Sequence, residues 1–243
     1  MALPKNSTPI YTLTIPSSGK VVKFRPFLVK EEKILLMAME SNDEESILLA
    51  IKQIVNNCCM DKIDVDELPI LDLEFIFLNL RARSIGEMVE LEYKCNNDIK
   101  VEEETKKCEN LVKIEFNLLD IEIKKQSENK KKIQLTKKLG VMMKYPNFNV
   151  MKNVENLSET EQIGKMIANC IEYIFDDETI YYTKDVSEQE VVDFIDSLTS
   201  EQFLKIQEFL NDVPKLEKTL KFKCNKCSYE EDLRLEGIQS FFV

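Results

Sequence analysis

The chain has 243 residues, of which 44% are hydrophobic and 32% charged, and its formal net charge is −11 at pH 7. A chain of this size and composition can bury a sizeable core, either as one large domain or as two small ones. The excess of acidic residues argues against a general nucleic-acid-binding protein, because contacts to phosphates need clustered lysine and arginine.

The hydrophobic stretches and the cysteines indicate the compartment. No stretch reaches the roughly 18 apolar residues of a membrane span, and residues 1–6 lack the apolar core of a signal peptide. The seven cysteines, an odd number, fit reduced thiols or a metal site better than a disulfide framework. Cys58, Cys59 and Cys170 lie in helical patterns and are expected to be packing residues. We therefore expect a protein that is made and kept in a cytoplasm and has no membrane-spanning segment.

The first part of the chain predicts a β-hairpin followed by helices. Alternating apolar residues at 10–15 and 21–24 flank a turn at 16–19, a pattern typical of a hairpin. The apolar spacing then becomes helical in three places: from Lys30, from Glu44 to Cys58, and from Leu71 to Arg83. The hairpin and these helices together predict a first compact unit.

The middle of the chain predicts strands, and the part after Gly140 predicts helices. Apolar and polar residues alternate, as in half-buried antiparallel strands, in three places: 89–95, 114–123 and 133–135. Ser158 and Glu161 have capping-box spacing, and the helix that they begin is predicted to run to about Phe175. Two further helices, each with a hydroxyl residue placed to cap it, are predicted near 187–197 and 200–210.

These elements predict an α+β fold with two helical blocks joined by small antiparallel β-hairpins. The predicted segments are an N-terminal hairpin plus helical block, 1–86; an antiparallel β segment with the first cysteine hairpin, 87–136; a second helical block, 137–216; and a C-terminal CxxC hairpin, 217–243. The last segment is expected to pack with residues 87–136. A partly degenerate zinc-ribbon-like element is expected to link the residues near 95–108 and 224–227.

Four cysteines predict a metal site. Cys224 and Cys227 form a CxxC turn that aims two thiolates at one point, and a second pair would complete a closed, tetrahedral zinc site. Three interpretations fit the residues: one structural zinc ion is bound by Cys95, Cys108, Cys224 and Cys227; Asp98 replaces Cys108 as an oxygen ligand; or the site has decayed and the thiols are small strand residues. Between the two zinc-binding interpretations we prefer the four-cysteine set.

The sequence shows no catalytic constellation. It has no histidine, which is the commonest catalytic base, and it has no glycine-rich phosphate-binding loop. Pairs of carboxylates are abundant, but 44 acidic residues produce such pairs by chance. We therefore expect a protein that is not an enzyme and has no small-molecule substrate.

Three parts of the chain resemble one known family. The stretches FRPFLVKEEK at 24–33, LDLEFIFLNLRARSIGE at 71–87, and FKCNKC with LEGIQSFF at 222–227 and 235–242 are similar to the baseplate hub proteins of T-even-type contractile-tailed bacteriophages. The match covers nearly the whole chain, in order. The first cysteine hairpin of that family is commonly CxxC, whereas this chain has Asp98 at the second place.

The resemblance implies a function in protein assembly. It implies a structural or assembly protein of the central hub of the tail baseplate, made in the bacterial host cytoplasm and acting there during assembly or in the virion. The implied partners are other baseplate hub or tail proteins, and no catalytic residues are implied. The alternative is a zinc-ribbon nucleic-acid-binding or regulatory protein, which the CxxC turn and the lysines at 130–132 favour. Nucleic acid is not the expected partner, because the chain is acidic.

Overall fold

The computed structural model describes residues 7–41, 43–101, 104–124, 131–151, 158–237 and 240. Two compact units are formed, the first by Met1–Ile63, Leu71–Lys124 and Lys215–Val243, the second by Asp64–Ile70 and Lys125–Pro214. The predicted α+β class is confirmed, because helices and small antiparallel sheets share the described chain. Within the described ranges, no helix is long and apolar enough to cross a membrane.

The helices and strands alternate in groups along the chain. The first half contains β1, Tyr11–Thr14; β2, Val21–Phe24; α1, Val29–Glu40; α2, Glu44–Cys58; α3, Ile70–Ser84; β3, Met88–Lys94; β4, Asp98–Val101; β5, Glu104–Lys107; β6, Leu111–Asn117; and β7, Glu122–Lys124. The second half contains β8, Lys132–Gln134; β9, Gly140–Met143; α4, Glu159–Cys170; β10, Ile171–Phe175; β11, Ile180–Tyr182; α5, Glu188–Asp196; α6, Ser200–Asn211; β12, Lys215–Lys223; and β13, Glu230–Glu236.

The N-terminal hairpin of the first unit is fixed on α3. The backbone N–H of Ser17, in the turn between β1 and β2, donates to Asp72 Oδ1 at 3.0 Å, and the Ser17 hydroxyl donates to Asp72 Oδ2. Asp72 is itself buried, and so are apolar residues on more than one face of α3: Leu71, Leu73, Ile76, Phe77, Leu78 and Leu80. The apolar residues of this helix therefore belong to the core.

A buried carboxylate holds the start of α1. Glu31 is 0% exposed. Its carboxylate accepts hydrogen bonds from Arg25 Nη2 at 3.0 Å and from the Leu28 backbone N–H at 2.8 Å. Burial opposes ionisation of Glu31, but the hydrogen bonds from Arg25 and Leu28 outweigh it and hold its pKa below the usual value. The ionised form therefore stabilises the folded chain.

Replacing Glu31 with glutamine is expected to lower the free energy of unfolding by about 1–3 kcal/mol, because Arg25 loses its charged partner. The folded-state pKa lies below the unfolded-state pKa, so this stabilisation is present above the unfolded value and is lost as pH falls through the folded one. The difference in thermal midpoint between wild type and variant should shrink from about pH 7 to about pH 3. Glu40→Gln, at an exposed position of the same helix, is the control, and an equal effect at both positions would contradict the prediction.

Strand pairing in the first unit places the C-terminal hairpin beside strands from the middle of the chain. β3 pairs with β6, and the β4–β5 hairpin lies between them in sequence. β12 pairs with both β13 and β7 in a three-stranded sheet. One apolar cluster joins these strands to α3: Leu71, Leu78, Ala82, Val89, Phe116, Leu118, Leu216 and Leu220.

The second unit packs helices on one antiparallel sheet with the strand order β11-β10-β9-β8. Buried residues from the sheet and from α4, α5 and α6 form its core: Val141, Met143, Ile167, Ile171, Val191, Ile195, Ile206 and Phe209. Each helix begins at a hydroxyl cap, as predicted: the side chains of Ser158, Ser187 and Thr199 accept from the N–H of Glu161, Glu190 and Gln202.

The helix predicted from Ser158 to about Phe175 is wrong at its C-terminal end. α4 ends at Cys170, and the next five residues form β10. β10 pairs with β9 on one side and β11 on the other, apart from a register shift at Glu172, so most of its backbone groups are bonded within the sheet. Its sequence, Ile-Glu-Tyr-Ile-Phe, is rich in the β-branched and aromatic residues that favour strands.

Candidate metal centre

The first two cysteines lie at the base of the β4–β5 hairpin. Cys95 directly follows β3, and Cys108 directly follows β5. The Cys108 N–H donates to the Asn97 carbonyl at 2.9 Å, and the Cys95 N–H donates to the Asn110 carbonyl at 2.9 Å. Pairing of the intervening strands therefore returns the chain to its starting point and brings both thiols to one place.

The other two cysteines lie in the turn between β12 and β13. The Cys224 N–H donates to the Tyr229 carbonyl at 2.8 Å, and the Ser228 N–H donates to the Cys224 carbonyl at 2.9 Å. Ser228 has a positive φ of 59°, a left-handed conformation that closes the turn tightly. This geometry places Cys224 and Cys227 on the same side of the hairpin end.

The four sulfur atoms form one cluster. Cys95 Sγ lies 3.7 Å from Cys227 Sγ, and Cys108 Sγ lies 3.8 Å from Cys224 Sγ. All four sulfurs lie within 4.8 Å of one another. A disulfide requires an S–S distance of about 2.05 Å, whereas four thiolates at about 2.3 Å from a central zinc ion lie about 3.8 Å apart. The observed spacing therefore fits four ligands of one tetrahedral ion.

The cluster is enclosed by apolar side chains and by amide donors. Cys95, Cys108 and Cys224 are buried, and the ring of Phe222 beside them meets Tyr93 edge to face at 4.9 Å between centroids. Asn97 Nδ2 lies 3.6 Å from Cys227 Sγ, and Asn110 Nδ2 lies 3.7 Å from Cys224 Sγ. N–H donors directed at sulfur stabilise thiolates and orient metal ligands.

Cys95, Cys108 and Cys224 differ in the direction in which the structure shifts their pKa. Burial raises the pKa of Cys95 to about 12 and also raises the pKa of Cys108. Burial also opposes ionisation of Cys224, but the backbone N–H groups of Cys227 and Lys226 donate to its sulfur and lower its pKa to about 6. A divalent cation bound by the cluster would stabilise the thiolate form of each cysteine that coordinates it, since a coordinating thiol is deprotonated.

The donor set fits zinc and fits a closed site. Four sulfur ligands without a carboxylate or imidazole are typical of structural zinc centres, in which every coordination position is filled by protein. Such a centre has no position for a reactive water molecule. The chemistry that this arrangement supports is therefore a cross-link between the two hairpins.

A comparison with known proteins identifies the family. A family model described as T4 bacteriophage base plate protein matches residues 8–243. The chain belongs to this base plate protein family. The family predicted from the sequence is thereby confirmed. No curated protein and no solved structure matches the chain.

The remaining candidate ligand of this base plate protein lies outside the cluster. Asp98, at the first position of β4, pairs with Lys107 Nζ at 2.8 Å, and its side chain is 58% exposed. The structure thus brings Cys108, and not Asp98, into the group of four. The other three cysteines, Cys58, Cys59 and Cys170, are free thiols that do not belong to this group, and burial raises the pKa of each.

Sequence reasoning missed the two asparagines that face the sulfurs. The available signal was a repeated spacing, because Asn97 follows Cys95 by two positions and Asn110 follows Cys108 by two positions. In the base plate protein this spacing lets each asparagine reach across to a cysteine of the other hairpin.

Proposed function

We propose that this base plate protein is a non-enzymatic structural or assembly component of the central hub of the tail baseplate. It acts through contacts with other hub or tail proteins. The observation that carries the proposal is the family match over residues 8–243. The absence of histidine from the sequence and the similarity of residues 24–33 and 71–87 to hub proteins support it further.

The proposal includes one structural zinc ion, held by Cys95, Cys108, Cys224 and Cys227. Zinc bound to four thiolates supplies a tetrahedral cross-link without Lewis-acid catalysis, since no coordination position is open. The paired cysteines are 132 and 116 residues apart in sequence. The cross-link closes a very long loop and joins segment 87–136 to segment 217–243, so it restricts the unfolded chain strongly.

The site of action follows from the same proposal. The protein is made in the bacterial host cytoplasm and acts there while the hub assembles. Membership of the base plate family supports a place in the tail of the virion.

Binding to other hub proteins is the experimental test. The purified chain, mixed with each remaining hub protein of the same phage, is expected to form a complex stable in size-exclusion chromatography at about micromolar concentration. Failure to bind any of them, under conditions where the others assemble together, would overturn the proposal. A salt-sensitive shift of DNA or RNA in place of protein binding would favour the nucleic-acid alternative.

A further inference from the structure

The outer face of the sheet in the second unit carries a group of side chains that we call the aromatic face. Strand register places its residues in two cross-strand rows: Lys132, Met142, Tyr173 and Tyr182, then Gln134, Gly140, Phe175 and Ile180. The rows are two residues apart along each strand, so both lie on the same face of the sheet. The alternate residues, Ile133, Val141 and Ile174, pack in the core with the helices.

The apolar side chains of the aromatic face remain accessible. Ile180 is 51% and Tyr182 41% exposed, and Met142, Tyr173 and Phe175 are half-buried. A contiguous apolar surface on a soluble unit marks an interaction site more often than a scattered exposed residue does. The core does not require aromatic residues here, because the opposite face of the same strands already buries the apolar surface.

The rings of the aromatic face are ordered by one another. Tyr173 meets Tyr182 edge to face at 5.5 Å between centroids, and it meets Phe175 in the same manner at 6.3 Å. The Phe175 ring lies across Gly140, at a place that any side chain at that position would occupy. Aromatic side chains held in place before binding lose little conformational freedom when a partner covers them.

Positive charge flanks these rings. Lys132 Nζ lies 4.7 Å from the centroid of Phe175, and Lys184 Nζ lies 5.2 Å from that of Tyr182. In the part of the chain that the structure describes, neither ammonium group forms an ion pair. Two acids of the nearby turn have other partners: Asp177 pairs with Lys138, and Asp176 accepts from the N–H groups of Glu178 and Thr179. Among the described residues, Lys132 and Lys184 therefore place two ammonium groups without an ion-pair partner at this face, on a chain of net charge −11.

We propose that the aromatic face docks an acidic, amphipathic segment of another baseplate protein. Its apolar side chains cover Tyr173, Phe175 and Tyr182, and its carboxylates pair with Lys132 and Lys184. Aromatic residues at the centre with charged residues at the rim are typical of the energetic centre of a protein interface. Two lysines on an acidic chain are too few for nucleic acid, which needs many phosphate contacts. The inference rests on the proposed function only in taking the occupant to be a baseplate protein.

The test compares variants of the aromatic face with matched controls. The full chain is titrated with each purified baseplate protein of the same phage. Lys132→Glu with Lys184→Glu, and separately Tyr182→Ser, are each expected to raise Kd about tenfold or more for one of these proteins. Lys33→Glu with Lys221→Glu makes the same change in net charge at exposed positions of the first unit and should leave Kd unchanged. Tyr181→Ser removes an equally exposed tyrosine whose strand position assigns it to the opposite face, and it should also leave Kd unchanged.

Reversing the charges on both proteins tests the proposed ion pairs directly. Lysine in place of the paired acidic residues of the partner should restore binding to the Lys132→Glu, Lys184→Glu variant. Unchanged thermal midpoints of the variants show that loss of binding is not loss of folding.

Four results would overturn the inference. Equal binding by the wild type and the aromatic-face variants overturns the inference alone and leaves the proposed function standing. No binding of the wild type to any baseplate protein overturns both. Binding of a single-stranded DNA of about 30 nucleotides that the double lysine variant loses would assign the face to nucleic acid. A dimer that Tyr182→Ser dissociates in sedimentation would assign it to a second copy of the chain.

Discussion

Replacing Cys224 with serine is expected to lower the free energy of unfolding by about 3 kcal/mol or more, because the variant loses a structural metal as well as a buried thiol. Cys224 is fully buried, and its sulfur lies 3.8 Å from that of Cys108. Without a metal, the same substitution replaces one small side chain with another at the end of β12, and it lowers the free energy of unfolding by about 1 kcal/mol. The size of the effect therefore separates a zinc centre from a decayed site.

Metal content and chelation measure the same property directly. The purified wild type is expected to contain about one zinc ion per chain, and a strong chelator is expected to lower its thermal midpoint. The Cys224→Ser variant should contain no zinc and should not respond to the chelator. A wild type without zinc and without response would mean that the apolar cluster around Phe222 joins the two hairpins alone.

Matched substitutions identify the ligands. Cys108→Ser is expected to abolish zinc binding, whereas Asp98→Asn should leave the zinc content unchanged, because the Asp98 carboxylate pairs with Lys107 outside the cluster. Cys170→Ser removes a buried thiol of the second unit and should cost about 1 kcal/mol while zinc is retained. Retention of zinc by Cys108→Ser together with its loss in Asp98→Asn would reverse the assignment.

Replacing Gly140 with alanine is expected to lower the free energy of unfolding by about 2–3 kcal/mol, because a methyl group has no room there. A Cβ at Gly140 would lie 2.7 Å from the Ile133 carbonyl oxygen and 2.8 Å from Cε1 of the Phe175 ring. The carbonyl belongs to the neighbouring strand β8 and cannot move without disturbing the sheet. The second unit should therefore lose stability, as measured by urea denaturation.

Gly164 provides the control for this prediction. It lies within α4, and a Cβ built there meets no atom within 4 Å. Gly164→Ala is expected to raise the free energy of unfolding by about 0.5–1 kcal/mol, because alanine restricts the unfolded chain and favours the helix. Adding Phe175→Leu to Gly140→Ala should recover part of the lost stability, since it shortens one of the two obstructing groups. Equal effects at both glycines would contradict the steric explanation.

Local sequence patterns were sufficient where neighbouring residues determine the structure. The N-terminal hairpin is present at the predicted strands, since its alternation and its Pro-Ser-Ser-Gly turn are both local. The caps at Ser158 and Ser187 form as predicted, because a capping box involves only four consecutive residues. These elements could be predicted without knowledge of the rest of the chain.

The local hydrophobic pattern did not predict which strands pair with one another. The apolar spacing of residues 171–175 fits a helix as well as a strand. Their β-branched and aromatic residues favour the strand, and pairing with β9 and β11 forms it. The strand predicted around Ile133 is present, but it pairs with β9, while β7 pairs with β12. The spacing of apolar residues within one segment carries no information about a partner strand that is distant in sequence.

In the metal centre, too, the local sequence predicted one part and strand pairing determined the other. The sequence singled out the four cysteines, because the CxxC turn is local, but it left Asp98 open as an alternative to Cys108. The β4–β5 hairpin, which brings Cys108 and not Asp98 into the cluster, is only half marked in the sequence: β4 alternates as Asp-Ile-Lys-Val, but β5 has no apolar residue and is exposed throughout. Pairing of β4 with β5 returns the chain, so that Cys108 lies beside Cys95.

The sequence by itself determined the family, the α+β class, most helices and the four candidate thiols. Those features depend on residue types and on spacings within a few positions, which the chain carries in every conformation. Only the tertiary structure decided which residue completes the cluster, where α4 ends, and which residues share the aromatic face. The physical reason is that sheet register brings together residues far apart in sequence. The backbone hydrogen bonds that form each pair depend little on the side chains, so residue types alone do not reveal the partner.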